Sequence, residues 1–295
     1  MSADRGSEKS AIETPATGLG ARVGRDLWPR VVSGVVIASC ATVAIVAGSW
    51  LWALLVGGAV GIAGWEWSRI VRGSKLDAAP DAAMVTHITF VVVAVVLAGA
   101  GYYKSAATVV LAGGCLMLIL TARNQPVLSA VGVLATGLPG VALVWLRADP
   151  ALGIVAVLYV VSAVAMTDIG AYFSGRLIGG PKLWPRVSPN KTWAGLGGGM
   201  IAAALVGAIV ANTVSGAATS HLMLLGALLA VVAQAGDLAE SALKRRFGVK
   251  DASQLIPGHG GVMDRIDGLA TASLLAAVWG LCFNIAAPAQ AVLTW

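Results

Sequence analysis

The sequence predicts an all-α fold: a polytopic integral membrane protein of about nine transmembrane helices with its N-terminus in the cytosol. Three observations carry this. Of the 295 residues, 58% are hydrophobic and only 12% are charged, with a mean hydropathy of +0.83, whereas soluble domains are roughly 25% charged. The apolar residues come in long runs, each near the ~20 residues a helix needs to cross the hydrocarbon core. Lys and Arg gather in alternate connections, as expected of cytosolic loops.

Taken in order, residues 1–27 are polar and aperiodic and predict a disordered cytosolic tail. The tail is too long and too polar for a signal-peptide n-region, so the first apolar run is expected to stay as a span. One transmembrane domain, 28–295, follows. Its spans are expected at 31–49, 50–67, 86–103, 105–122, 128–146, 151–173, 193–214, 219–243 and 268–287. The first two are separated only by Gly48-Ser49. With the N-terminus inside, every Lys and Arg except Lys104 and Arg147 falls on the inner side, and the C-terminus lies outside. The two large inner loops, 174–192 and 244–267, share one face of the membrane, so a site can form between them. Motifs for chemistry are concentrated in 165–193 and 236–268.

Several function classes drop out. The net charge of +6 and pI near 9.5 are accounted for by topology, and no basic patch interleaved with aromatics points to nucleic acid. The basic inner loops are suited to anionic lipid head groups or nucleotides. Cys40, Cys115 and Cys282 each lie in an apolar run without metal-ligand spacing and are expected as small core residues. Gly195, Gly197, Gly198 and Gly199 predict close helix packing. No GxxxxGK[ST] phosphate loop is present.

The densest charge lies between Gly236 and Asp267. Asp237, Glu240, Ser241 and Lys244 are spaced i, i+3, i+4, i+7, which puts them on one helix face. Two carboxylates there suit a divalent cation with oxygen ligands. The plainer account, a Glu240–Lys244 ion pair on a solvated face, competes for Glu240. Next come Pro257-Gly258-His259-Gly260-Gly261 and Asp264-Arg265-Ile266-Asp267. The glycines let backbone N–H groups converge on an anion. Asp264 and Asp267 open the last span, where an acid also favours the helix N-terminus. Together the acids suit Mg²⁺ on a polyphosphate, with Lys244, Arg245 and Lys250 neutralising its oxygens. His259 is either an acid–base or a hydrogen-bonding loop residue, the latter favoured, and has no partner for zinc. Asp168, near the inner end of the sixth span, either completes the cation site or pairs with Arg176; the cation site is preferred. Ser188, Lys191 and Thr192 open the seventh span as an anion site or as a cap with Trp193 as interfacial anchor.

These blocks resemble one family. Ser241 with Lys244-Arg245, then Lys250-Asp251, then the run from Pro257 to Asp267 is similar to the signature of the phosphatidate cytidylyltransferases, or CDP-diacylglycerol synthases. Asp168, Ala171-Tyr172, Gly175-Arg176 and Ser188 to Thr192 resemble further blocks of that family. The likeness covers the C-terminal half in motifs and the N-terminal half in hydropathy only. Ala194 stands where the family often has Glu, and Asn190 where it often has Lys, so no role is carried over to either. The resemblance implies transfer of CMP from CTP to phosphatidate, giving CDP-diacylglycerol and pyrophosphate. It implies Mg²⁺, with or without a second cation, at Asp237 and Asp264, helped by Asp168 and Asp267. It implies Lys244 among the catalytic residues, and Ser188, Lys191, Thr192, Arg245, Lys250, His259, Gly260, Gly261 and Arg265 around the substrates. CTP, phosphatidate, membrane lipids and a second copy of the chain are the implied partners, in a bacterial inner membrane with the site facing the cytosol. Two alternatives stay open: a CTP-dependent kinase of a lipid alcohol, and an ion-coupled secondary transporter.

Overall fold

The computed structural model describes residues 19–73, 79–256 and 260–295, with side chains from residue 32 onward. Among these residues the fold is nearly all helix. Nine long helices run α1 (Leu19–Ala47), α2 (Ser49–Arg72), α3 (Ala82–Gly99), α4 (Tyr103–Leu120), α5 (Pro126–Arg147), α6 (Gly153–Leu177), α7 (Trp193–Ala211), α8 (Thr219–Arg246) and α9 (Met263–Phe283). A short α10 (Pro288–Leu293) closes the chain. Seven of them, α3 to α9, are long and apolar enough to cross a membrane.

The helix ends follow local chemistry. The sharp break between α1 and α2 is Gly48, at φ +149°, a conformation that only glycine adopts freely. α2 stops at Gly73, whose amide returns to Arg69 and Ile70 carbonyls in a left-handed cap. Asp81 caps α3 by accepting from the Met84 amide at 2.7 Å and pairs with Arg72 at 2.9 Å. Thr192 caps α7 by accepting from the Gly195 amide at 3.0 Å.

Three expectations need adjusting. α1 already begins at Leu19, inside the stretch expected as a tail, while residues 1–18 lie outside those described. The inner loop before α7 contains a two-stranded antiparallel hairpin, β1 (Lys182–Trp184) and β2 (Ser188–Thr192). Cys40, Cys115 and Cys282 are free and exposed on outer faces instead of buried.

Packing forms two neighbouring groups, α2 to α5 and α6 to α9, joined mainly where α5 meets α9 and α6; α1 leans on α2 and α6. The shared core is built from small side chains such as Val91, Val95, Val133, Ala156, Val160, Ala203, Leu225 and Ala272. The α6–α7 contact is close because Gly198 and Gly199 lie against Gly170, Ser174 and Thr167, as the glycine cluster predicts. Large apolar residues including Leu54, Ile119, Ile201, Leu205, Ile209 and Phe283 point outward, as lipid-facing positions do. The C-terminal part of α2 meets the start of α9, and β2, which follows α6, meets the C-terminal part of α8, while Arg147 at the end of α5 reaches the end of α1.

Candidate active site

The site forms where the C-terminal turns of α6 and α8 meet the first turns of α9, with β2 alongside. Asp168, Asp237, Glu240, Lys244, Asp251, Asp264, Arg265 and Asp267 line a polar cavity of about 240 Å³. A larger recess of about 390 Å³ between α2, α3 and Leu255 is lined by apolar side chains, so it offers nothing to charge chemistry.

The helices can bring their acids this close because a glycine removes the side chain at the contact. A Cβ on Gly236 would collide with Thr271 and the Asp267 carbonyl on α9. One residue on, Asp237 therefore faces Asp267. Carboxylate oxygens of Asp237, Glu240 and Asp267 lie within 4.8 Å of one another. Mg²⁺ holds its oxygens at about 2.1 Å, so two ligands on one ion lie at most about 4.2 Å apart. A side-chain rotation is enough to close the difference, and hard carboxylate oxygens are the donors this cation prefers. Glu240 adds a second sign of fit: its Oε1 is buried and, among the described residues, lacks a hydrogen-bond donor. A buried acceptor left open is costly unless a ligand fills it.

Cations flank the acids. Lys191 on β2 reaches Asp237 Oδ2 at 2.5 Å, so the hairpin delivers an ammonium from the other inner loop. Ser241 Oγ donates to the other Asp237 oxygen at 3.3 Å. Lys244 bridges Glu240 at 2.9 Å and Asp264 at 2.6 Å. Asp168 accepts from Gln234 Nε2 at 3.3 Å and faces this cavity, while Arg176 instead donates to the Tyr172 hydroxyl at 2.9 Å.

The structure groups the acids differently from the set implied by resemblance. Asp237 and Asp264 line the same cavity, and among the described residues the carboxylate oxygens grouped within 4.8 Å of one another are those of Asp237, Glu240 and Asp267. Asp264 is turned back toward its own loop, where it accepts from Lys244 Nζ, from the Ala252 amide at 3.0 Å and from the Gly261 amide at 2.8 Å. Gly260 adopts φ +82° against this carboxylate. Lys250 and Arg265 are both exposed, but of the two only Arg265 lines the cavity. Arg245 is exposed, its Nε 3.5 Å from the Val187 carbonyl beside the hairpin. The Thr192 hydroxyl serves as the helix cap, and Ser188 begins β2. His259 lies outside the described residues. Sequence reasoning gave Gln234 no role and missed Glu66 on α2, a lone acid inside an apolar run whose isolation was the available signal.

Fold and cavity together define a class: a helical membrane protein that gathers acids and lysines from separate spans at one end of its bundle. Within that class the assignment is direct. Residues 28–283 match the cytidylyltransferase family, and the chain belongs to it. It is 45% identical over 177 residues to the phosphatidate cytidylyltransferase of Brucella suis biovar 1, covering 59% of this chain and 64% of that protein. It is 47% identical over 129 residues to that of Haemophilus influenzae, covering 42% and 45%, and 44% identical over 117 residues to that of Bacillus subtilis, covering 39% and 43%. The chain thus spans less than two thirds of the length of these relatives.

Proposed function

We propose that this protein transfers CMP from CTP to phosphatidate, producing CDP-diacylglycerol and pyrophosphate for phospholipid synthesis. The observation that carries the reading is the convergence of Asp237, Glu240, Asp267 and Lys244 in one polar cavity at an end of a membrane bundle, with Lys191 paired to Asp237. The names of the relatives supply the substrates.

A phosphatidate oxygen attacks the α-phosphorus of CTP, and the bond from that phosphorus to the α–β bridging oxygen breaks as pyrophosphate leaves. The nucleophile is already an anion, so the protein's task is to align two anions and relieve their repulsion. Mg²⁺, when bound, neutralises the triphosphate and stabilises the departing pyrophosphate. Asp237, Glu240 and Asp267 would hold it, with Asp168 beside them. Arg265 in the cavity and Lys191 beside Asp237 would meet the phosphates, and Lys244 keeps Glu240 and Asp264 in place. Placing the cavity end in the cytosol of a bacterial inner membrane lets CTP enter from water while the acyl chains remain in lipid, and it agrees with the distribution of Lys and Arg. A homodimer belongs to the same proposal by resemblance.

The test uses the purified chain in detergent with phosphatidate and CTP labelled at either the α- or γ-phosphate. α-Label is expected in the lipid, with one pyrophosphate released per lipid product, stopped by EDTA and restored by Mg²⁺. γ-Label in the lipid would replace this reading with a lipid kinase. Solute uptake into vesicles without CTP consumption would replace it with a transporter.

A further inference from the structure

Glu66 is the single charged residue between 31 and 68, and its side chain is fully buried. It sits on α2, far in sequence from every residue of the cavity. A buried carboxylate is expensive unless it is fully hydrogen-bonded. This one receives three donors, all from the segment that carries the acids. Oε1 accepts from Ser253 Oγ at 2.5 Å and from the Val262 amide at 3.0 Å, and Oε2 accepts from the Met263 amide at 2.6 Å.

Met263 is the first residue of α9, and Val262 before it provides no side-chain cap. Glu66 therefore caps α9 from another helix: it satisfies orphan amides and places a negative charge at the positive end of the helix dipole. The same oxygen also reaches back to Ser253 near the start of the loop. Asp264 holds the neighbouring positions from the other side, through Ala252 and Gly261. Two carboxylates thus pin adjacent residues at both ends of one loop. Gly261 fits between them because any Cβ there would strike Glu66 Oε1 and Ala252.

We propose that Glu66 is a positioning residue that sets the start of α9 and so the place of Asp267 and Asp264 in the cavity. This deepens the reading above and rests on it for the metal. The chain of contact runs from Glu66 through the Met263 amide to Asp267 one turn further along the same rigid helix, and the ligand itself is not touched.

The test compares the full-length wild type with Glu66→Gln and Ser253→Ala. Gln keeps the size but replaces one acceptor oxygen with a donor facing amide N–H groups. Mn²⁺ binding followed directly by electron paramagnetic resonance is expected to weaken about tenfold in Glu66→Gln, the lower end for an outer-shell partner of a metal site. Ser253→Ala, which removes one arm, should weaken it about two- to threefold in the same direction. The Mg²⁺ concentration for half-maximal turnover should rise in parallel while KM for phosphatidate stays within about twofold. Amide exchange at Val262 and Met263 should quicken in Glu66→Gln, with melting lowered by a few degrees because buried donors lose an acceptor. Unchanged Mn²⁺ affinity in both variants overturns the proposal. So does a loss in Glu66→Gln that tracks a fall in melting temperature while Ser253→Ala binds Mn²⁺ like wild type. Weakened Mn²⁺ binding in a protein whose wild type consumes no CTP upholds the positioning role and overturns the proposed reaction instead.

Discussion

The two ends of the helix bundle use buried charge in opposite ways. At the end away from the cavity, Arg147 Nε donates to the Ile45 carbonyl at 2.5 Å. Asp149 accepts from the Ala151 and Leu152 amides at 3.0 and 3.1 Å and from the Gln290 amide at 3.4 Å, tying α6 to α10. Each charge there is met by neutral backbone. At the cavity end, Asp237, Glu240 and Asp267 face each other within 4.8 Å, and Glu240 keeps an open oxygen. Arg147 and Asp149 are held by backbone partners, whereas the acids of the cavity are left crowded and incompletely satisfied. Glu66 and Asp264 mark the boundary, since both stand at the cavity end yet are saturated by the loop they hold.

The sharpest way to break this contrast is Asp267→Asn. It removes one like charge from the crowded group and no ion pair, because among the described residues Asp267 accepts only the Gly268 amide, at 2.7 Å. Turnover of CTP and phosphatidate is expected to fall by at least about a hundredfold, as for loss of a central electrostatic element. Melting in detergent without Mg²⁺ is expected to hold or rise, since repulsion is relieved. Adding Mg²⁺ with CTP should raise the wild-type melting temperature by mass action and leave that of the variant nearly unchanged. A marked loss of stability in the variant would mean that these acids serve the fold after all.

Lys244→Met comes next. It strips the shared cation from Glu240 and Asp264 and leaves two buried acids unpaired. Breaking a buried pair in this way costs about 3–5 kcal/mol. The variant is expected to melt well below wild type in addition to losing turnover, which separates Lys244 from Asp267 by the same two measurements.

What could be seen in the sequence follows the same division. Apolar runs and the break at Gly48 place the helices, because burial in lipid requires continuous apolar segments. They do not place helix ends. α9 starts at Met263, five residues before the expected span, since helical hydrogen bonding continues through charged turns that hydropathy excludes. The β1–β2 hairpin is short and polar and contains Pro189, so it has no alternating pattern to betray it, yet it is what carries Lys191 to Asp237. The i, i+3, i+4 spacing correctly puts Asp237 and Glu240 on one face. It cannot tell which acid of α9 meets them, because that depends on how Asp264 is occupied by its loop. Glu66 illustrates the harder case: its partners lie about 190 positions away, at separations of 187 to 197 residues, and only the fold joins them.

Smaller effects test the saturated end. Asp149→Ala removes acceptors for the Ala151, Leu152 and Gln290 amides, bonds worth about 1 kcal/mol each, and should lower melting by a few degrees without changing the Mg²⁺ dependence of turnover. A shift in that dependence would connect the two ends and erase the distinction between them.

Lys250→Ala tests the outer limit of the cavity and should have the least effect. The resemblance places Lys250 among the substrate-binding residues, but its side chain is exposed and does not line the acidic cavity, whereas Arg265 does. An exposed ammonium acts on a nucleotide through water and salt, and such interactions are worth at most about 1 kcal/mol. They also fade over a Debye length of about 8 Å at physiological ionic strength. KM for CTP is therefore expected to rise less than about threefold in Lys250→Ala, and less still as salt is added. Arg265→Ala, by contrast, should raise it further and keep more of that loss at high salt: Arg265 is exposed too, but it lines the cavity in which the phosphates are proposed to sit. If Lys250 proves as important as Arg265 and equally indifferent to salt, the loop that carries it must close over the nucleotide, and the cavity as drawn is only part of the binding site.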